Sequence, residues 1–313
     1  MRALLVVNHK ATTTSGRVRD VLVQALHCQV DLRVVHTERR GHAAALAEQA
    51  AADGLDVVVA LGGDGTVNEV VNGLLTHGVR PDGPALAVVP GGSTNVFARA
   101  LGLPAEWVEA TGVLLEALRA NRFRSIGLGR ADDRYFTFCA GLGLDAEVIS
   151  RVERARYRGD TPSPWLYART LARHYAVRID RRNRPITLER PGEDPVPDLA
   201  SVVVQNTNPS TYLGRRRVDV CPRASFDSGL DVAALRGLRV PATVRFFTEL
   251  LIGRSRAGQP VGPTGSNVLH VHDVTEFTLV AKEPIGFQLD GDYLGPREKV
   301  RFTAVPHALR VIC

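Results

Sequence analysis

The hydrophobic pattern of the chain changes near residue 130. Up to that point, short apolar runs alternate with stretches whose apolar residues recur every three or four positions. These are the two periods of buried strands and amphipathic helices. Ala3–Val7, Val30–Val35, Val57–Leu61 and Ala85–Val89 read as strands; Gly16–Leu26, Ala43–Ala52, the stretch after Gly65, Asn95–Leu101 and Trp107–Leu118 read as helices. Such alternation predicts a doubly wound α/β domain, a parallel sheet covered on both faces with ligands at the carboxyl ends of its strands. The remaining segments are short and separated by turn residues: Phe123–Gly127, Tyr135–Phe138, Ile186–Leu188, Ala200–Gln205, Leu230–Leu235, Val268–Val271, Phe277–Val280, Ile285–Leu289 and Val300–Thr303. This texture predicts an antiparallel β-sandwich. Helices over Pro164–Val177 and Pro241–Ile252 interrupt it, each with proline in its first turn. Glu189–Pro197 predicts an exposed hairpin tip.

Composition sets the class. A chain of 313 residues, 44% hydrophobic and 23% charged, suits one large or two ordinary folded domains, without a disordered or repetitive segment. The apolar run after Met1-Arg2-Ala3 is too short for a signal peptide, and no run approaches the roughly 20 residues of a membrane helix. A cytoplasmic protein is therefore expected. Cys28, Cys139, Cys221 and Cys313 form no CxxC pair and lack histidines at zinc spacing, which predicts reduced thiols and no metal site built on them. The net charge is 39 − 33 = +6, and lysine occurs only at Lys10, Lys282 and Lys299. An arginine-rich surface attracts polyanions, either nucleic acid or an anionic bilayer. A proteome rich in arginine and alanine accounts for the same composition.

The candidate chemistry begins at Val57–Leu75. A buried strand runs into Gly62-Gly63-Asp64-Gly65, which reads as a tight turn, and a helix follows through Val67, Val70, Val71, Leu74 and Leu75. Gly73 and Gly78 stand where that helix should weaken and stop. Glycines let backbone N–H groups approach an anion, and a helix N-terminus adds partial positive charge, so Gly62 to Thr66 read as a phosphate cradle. A purely structural turn explains the same residues. Asp64 is the odd member, since a carboxylate beside phosphate is repelled unless it holds Mg²⁺, orients a water or hydroxyl, or accepts loop N–H groups. Pro90-Gly91-Gly92-Ser93-Thr94-Asn95 is a second glycine turn opening a helix. The two turns could grip one polyphosphate from both sides; an N-cap by Ser93 or Thr94 is the plainer explanation. Asn8–Lys10 and Thr37 close two further strands.

GGDGTVNEV and PGGSTNVFARALGLP resemble two motif blocks of the diacylglycerol kinase catalytic domain family, which includes bacterial lipid kinases and sphingosine and ceramide kinases. NAD kinases share the GGDG core. Ser93 stands where the family has threonine, and Thr37 matches a family threonine near the nucleotide. The resemblance implies that Asn8, Thr37, Gly62, Gly63, Asp64, Gly65, Thr66, Gly92 and Ser93 bind ATP with Mg²⁺. It implies an α/β nucleotide domain over residues 1–128, joined by the strand 307–313, and a β-sandwich lipid domain over 129–306, with the active site in the cleft between them. Lys10 reads as a phosphate contact or an ordinary surface lysine.

Phe287–Leu294 places Asp290-Gly291-Asp292 where Asp-Gly would turn a hairpin. The resemblance implies instead the acidic pair that deprotonates the acceptor hydroxyl, Asp290 first and Asp292 second, with Asp292 in place of glutamate. Cys221–Asp231 resembles a block whose carboxylate before glycine helps hold a structural Mg²⁺. Ser228 occupies that place, so either the structural metal is absent or Asp227 or Asp231 compensates; Asp64 and Asp227 are the metal candidates. Tyr212–Arg217 lacks the glycines expected there. Gly141–Val148 resembles the border of the lipid pocket, where Asp145 either meets the acceptor hydroxyl or caps a helix. Arginines from Arg151 to Arg178 crowd around Trp165, Leu166, Tyr167 and Tyr175, as on a membrane-surface helix or a solvated helix face. The expectation is an ATP- and Mg²⁺-dependent lipid kinase at the inner face of the membrane. Its partner is a lipid and not nucleic acid, and a homodimer is compatible. An NAD kinase and a non-catalytic lipid- or nucleotide-binding protein are the competing readings.

Overall fold

The computed structural model describes residues 1–8, 16–157, 184–214, 216–252 and 262–313. Lys10, Arg215, the expected helix 164–177 and the arginine and aromatic positions from 158 to 178 lie outside the described residues. Two compact units emerge, Met1–Leu128 with Pro306–Cys313, and Gly129–Val305.

The first unit is α/β. β1 (Arg2–Val7), β2 (Asp31–His36), β3 (Val57–Gly62) and β4 (Ala85–Pro90) alternate with α1 (Gly16–His27), α2 (His42–Ala52), α3 (Asp64–Leu74), α4 (Val96–Ala100) and α5 (Trp107–Arg119). All four strands are parallel, in the order β4-β3-β1-β2. Every residue of β3 and β4 is buried, so these strands lack the polar alternation of a half-exposed sheet. Ala3, Leu5, Val7, Val57, Val59, Leu61, Ala85, Ala87 and Val89 share a core with Leu22 and Leu26 of α1 and Leu114 and Leu118 of α5. Alternate residues point to the opposite face, where α2 and α3 pack. The C-terminal strand β16 (Asp292–Ile312) ends in this unit, with Val311 parallel to Leu86.

The second unit is mostly antiparallel β. Its strands include the end of β5 (Phe123–Ala131), β6 (Arg134–Phe136), β7 (Cys139–Leu142), β8 (Ile186–Glu189), β9 (Val196–Leu199), β10 (Ser201–Gln205), β13 (Leu230–Leu235), β14 (Val268–Val274) and β15 (Glu276–Leu289). A short separate ribbon pairs β11 (Thr211–Leu213) with β12 (Arg216–Val218). The sheet order β14-β13-β10-β7-β15-β16 is antiparallel at every step. The core centres on Phe302, stacked on Phe277 with ring centroids 5.0 Å apart and met edge-on by Phe136 and Phe287. α6 (Leu144–Tyr157) and α7 (Val240–Ile252) bury Leu144, Val148, Val152 and Phe246 in a smaller cluster. β8 and β9 form the hairpin expected around Glu189–Pro197. Among the described residues, no helix is long and apolar enough to cross a membrane.

One sequence expectation changes. Phe277–Val280 and Ile285–Leu289 belong to one strand, because register shifts between Val280 and Ile285 let the pairing continue through the intervening polar residues. α3 stops at Leu74, between Gly73 and Gly78 as expected, and Gly73 has a packing use besides. A Cβ there would lie 2.1 Å from the carbonyl oxygen of Ala44, so the missing side chain is what lets α2 and α3 approach. Gly→Ala inside a helix ordinarily gains roughly 0.5–1 kcal/mol. For Gly73→Ala the sign should reverse, with a loss of about 1–3 kcal/mol from overpacking, measured by urea denaturation.

Candidate functional site

The first group of candidate residues gathers at the carboxyl ends of β1 to β4. The chain enters α3 with almost no loop: Gly63 is its N-cap, in extended conformation, and Asp64 already lies in the first turn. The expected four-residue turn is therefore a direct strand-to-helix junction. Glycine is needed at position 62, because a Cβ would lie 2.6 Å from the Thr66 hydroxyl oxygen. Thr66 itself is buried, and the Asn8 side-chain amide donates to its hydroxyl at 2.9 Å. The Asn8 backbone N–H donates to Leu61 O, and Thr37 N–H to Val7 O, which fixes each strand end to its neighbour.

The two glycine turns touch. Gly91 N–H donates to Gly62 O at 2.8 Å, and a Cβ on Gly92 would lie 2.7 Å from the Cα of Gly63. The turns therefore form one continuous rim, not two jaws with a ligand between them. Asn95, at φ 48°, closes the second turn by accepting from Gly92 N–H and donating to Gly92 O, both at 2.8 Å. Neither Ser93 nor Thr94 is the N-cap of α4; that place belongs to Asn95, whose side chain makes no cap bond. Asp64 supplies the missing acceptors from another strand end. Its two carboxylate oxygens accept Val96 N–H at 3.0 Å and Phe97 N–H at 3.1 Å. Of the three uses open to this carboxylate, the structure realises the bonding of loop N–H groups. Glu69 acts likewise one turn along α3, accepting from Gly41 N–H at 2.8 Å and Ala43 N–H at 3.2 Å at the start of α2.

The second group belongs to the antiparallel unit. Asp290 and Gly291, at φ 48° and 82°, are the two central residues between paired Leu289 and Asp292. Two consecutive positive φ values belong to the tight turn that Asp-Gly favours, so the plain hairpin reading is realised. Asp290 is also buried, at 6% exposure. One of its oxygens accepts Thr137 N–H and the Thr137 hydroxyl at 2.7 and 2.9 Å; the other accepts Phe138 N–H and Cys139 N–H at 3.0 and 3.1 Å. Burial pushes its carboxyl above the ordinary carboxylate range, and the Phe138, Thr137 and Cys139 donors pull it partly back. Asp292 is the accessible member, its side chain 26% exposed and 3.9 Å from the Arg134 guanidinium.

Asp145 lies in the first turn of α6, where Gln288 Nε2 donates to its carboxylate at 2.7 Å. Burial raises its pKa too, against the lowering effect of that bond. Sequence reasoning passed over Gln288. Its signal is a polar residue between Phe287 and Leu289 at a fully buried strand position.

The metal candidates Asp64 and Asp227 belong to different units. Asp227 is exposed in the second unit, and its own N–H donates to Ser225 Oγ. The Ser228 hydroxyl donates to the carbonyls of Ser225 and Gly229, and Asp231 accepts from Asp273 N–H and lies 2.6 Å from His272 Nδ1. Among the described residues, no group of three or more His, Cys, Asp or Glu side chains could hold a metal ion.

Residues 2–131 match the diacylglycerol kinase catalytic domain. A diacylglycerol kinase of Staphylococcus haemolyticus is 36% identical over 129 residues, 41% of this chain and 37% of that protein. A diacylglycerol kinase of Staphylococcus saprophyticus is 34% identical over the same length, 41% of this chain and 40% of that protein. The match thus spans about two fifths of these relatives' length. A crystal structure of a diacylglycerol kinase from Bacillus anthracis aligns over 99% of this chain and 96% of its own, with a TM-score of 0.74 at 21% identity, which establishes the shared fold.

Asp64→Asn keeps size but leaves one helix N–H facing an amide NH₂. Stability should fall by about 1–3 kcal/mol in urea denaturation; an unchanged midpoint would show that the carboxylate does not carry α4. Asp290→Asn should lose a similar amount for the same reason. Because the folded pKa of Asp290 lies above the unfolded one, its contribution is full below the unfolded pKa of about 3.9 and is lost as pH rises through the folded value. Denaturation across that window should show a shallower pH dependence in Asp290→Asn than in the wild type.

Proposed function

We propose, from the diacylglycerol kinase catalytic domain that residues 2–131 carry, that this protein is an ATP-dependent kinase acting on the hydroxyl of a diacylglycerol-like lipid. The observation that carries the reading is that match, together with the continuous rim that its glycine turns build at the strand ends. In this reading the outer surface of the rim receives the phosphates. Gly62, Gly63, Gly92 and Ser93 keep it low, the N-terminus of α3 with Gly65 contributes partial positive charge, and Asn8, Thr37 and Thr66 hold the strand ends in place. Asp64 serves by fixing the two turns to each other. Mg²⁺ is assigned only to the nucleotide it accompanies, where it would offset phosphate charge.

The acceptor oxygen attacks the γ-phosphorus, the bond from that phosphorus to the bridging oxygen breaks, ADP leaves, and the hydroxyl proton passes to a carboxylate. We assign that proton to Asp292 ahead of Asp290, reversing the order expected from the resemblance. Four hydrogen bonds already occupy the Asp290 carboxylate, whereas Asp292 reaches solvent. Asp145 is assigned to the acceptor hydroxyl, and the lipid substrate implies peripheral contact with a membrane surface.

Labelled ATP with diacylglycerol in mixed micelles, resolved by thin-layer chromatography, tests the reading against NAD as acceptor. Label should appear in lipid; label in NAD alone, or in neither, overturns it. Asp292→Asn should then lower lipid turnover by about 10²–10⁴-fold at unchanged ATP affinity. Full turnover by Asp292→Asn beside a dead but folded Asp290→Asn would return the proton to Asp290.

A further inference from the structure

Gln288 is buried at 1% exposure and uses both ends of its amide. Nε2 donates to the Asp145 carboxylate at 2.7 Å, and Oε1 accepts Gly291 N–H at 2.9 Å. The first bond reaches α6; the second reaches the middle of the Asp290-Gly291-Asp292 turn. Space for this arrangement is prepared in the neighbouring strand β7. A Cβ on Gly141 would fall 2.1 Å from the Asp145 oxygen and 2.9 Å from Gln288 Nε2, so only glycine leaves the hydrogen bond intact. A buried primary amide with donor and acceptor directed to opposite partners fixes the distance between them, because either bond lost leaves a desolvated polar group.

We propose that Gln288 is a positioning residue that sets the Asp290-Gly291-Asp292 turn in register with Asp145. This rests on the kinase reading, in which the turn carries the proton acceptor and Asp145 meets the acceptor hydroxyl. The amide is suited to the task where a carboxylate is not. Against Asp145 the site needs a donor, and Gln288→Glu would set two carboxylates 2.7 Å apart. Exchanging the two chemistries restores the pair: in the double variant Gln288→Glu with Asp145→Asn, the donor stands on α6 and the acceptor on β15. The second oxygen of the new carboxylate can still receive Gly291 N–H.

Two measurements test it, amide hydrogen exchange at Gly291 by NMR and steady-state phosphorylation of diacylglycerol in mixed micelles. In Gln288→Glu, Gly291 exchange should quicken and kcat should fall at least about tenfold, equivalent to the loss of roughly one buried hydrogen bond, while KM for ATP stays within about twofold. The double variant should recover wild-type Gly291 exchange, the readout that remains valid once the Asp145 carboxylate assigned to the acceptor hydroxyl is gone. Melting curves identify any variant that simply fails to fold, and the double variant then carries the decision. Wild-type exchange and kcat in Gln288→Glu overturn the proposal, as does a folded double variant whose Gly291 exchange stays as fast as in Gln288→Glu. Should the wild type phosphorylate no lipid, the kinase reading fails; unchanged Gly291 exchange in Gln288→Glu would separately refute the positioning role.

Discussion

The first unit depends on a carboxylate shared between two backbone N–H groups more than thirty residues away. Asp64 accepts from Val96 and Phe97 at the start of α4, and so ties the junction after β3 to the turn after β4. The five-residue helix α4 has little intrinsic stability and no cap bond of its own. Without an outside acceptor, its first N–H groups would be desolvated and unpaired. The charge on Asp64 thus has a structural use at a place where a phosphate-binding site would otherwise be expected to avoid it.

The same device recurs. Glu69 holds the start of α2, and Asp290 gathers three peptide N–H groups and a hydroxyl between β6 and β7. In each case an anion satisfies several donors at once, which neutral side chains do less well. The cost is desolvation, seen in the upward pull of burial on Asp290 and Asp145. Cβ-free approaches complement these contacts at Gly62, Gly73, Gly92 and Gly141, where a neighbouring backbone or polar group fills the space of a side chain.

This sharing of backbone donors does not extend evenly to every carboxylate. Asp290 fixes the turn and Asp292 stands partly exposed at its edge, so two acidic residues one position apart occupy different environments. Gln288 joins that turn to α6 through a neutral amide, which adds no charge to a site that already holds several carboxylates.

Sequence alone determined what depends on near neighbours: the strands β1 to β4, the helices between them, the glycine-rich ends of β3 and β4, and Asp290-Gly291 as a tight turn. These follow from residue periodicity and from local φ preferences, which act over a few positions. Tertiary structure decided the partners. Nothing within four residues of Asp64 reveals that Val96 and Phe97 are its donors, nothing near Gly73 announces the Ala44 carbonyl, and β7 is too short and glycine-containing to read as a central strand. The roles of Asp64, Asp290 and Gln288 rest on hydrogen bonds across 32 to 153 residues of chain. Such bonds are chosen by which backbone groups the packed core leaves buried and unpaired, a condition that exists only once the sheets have formed.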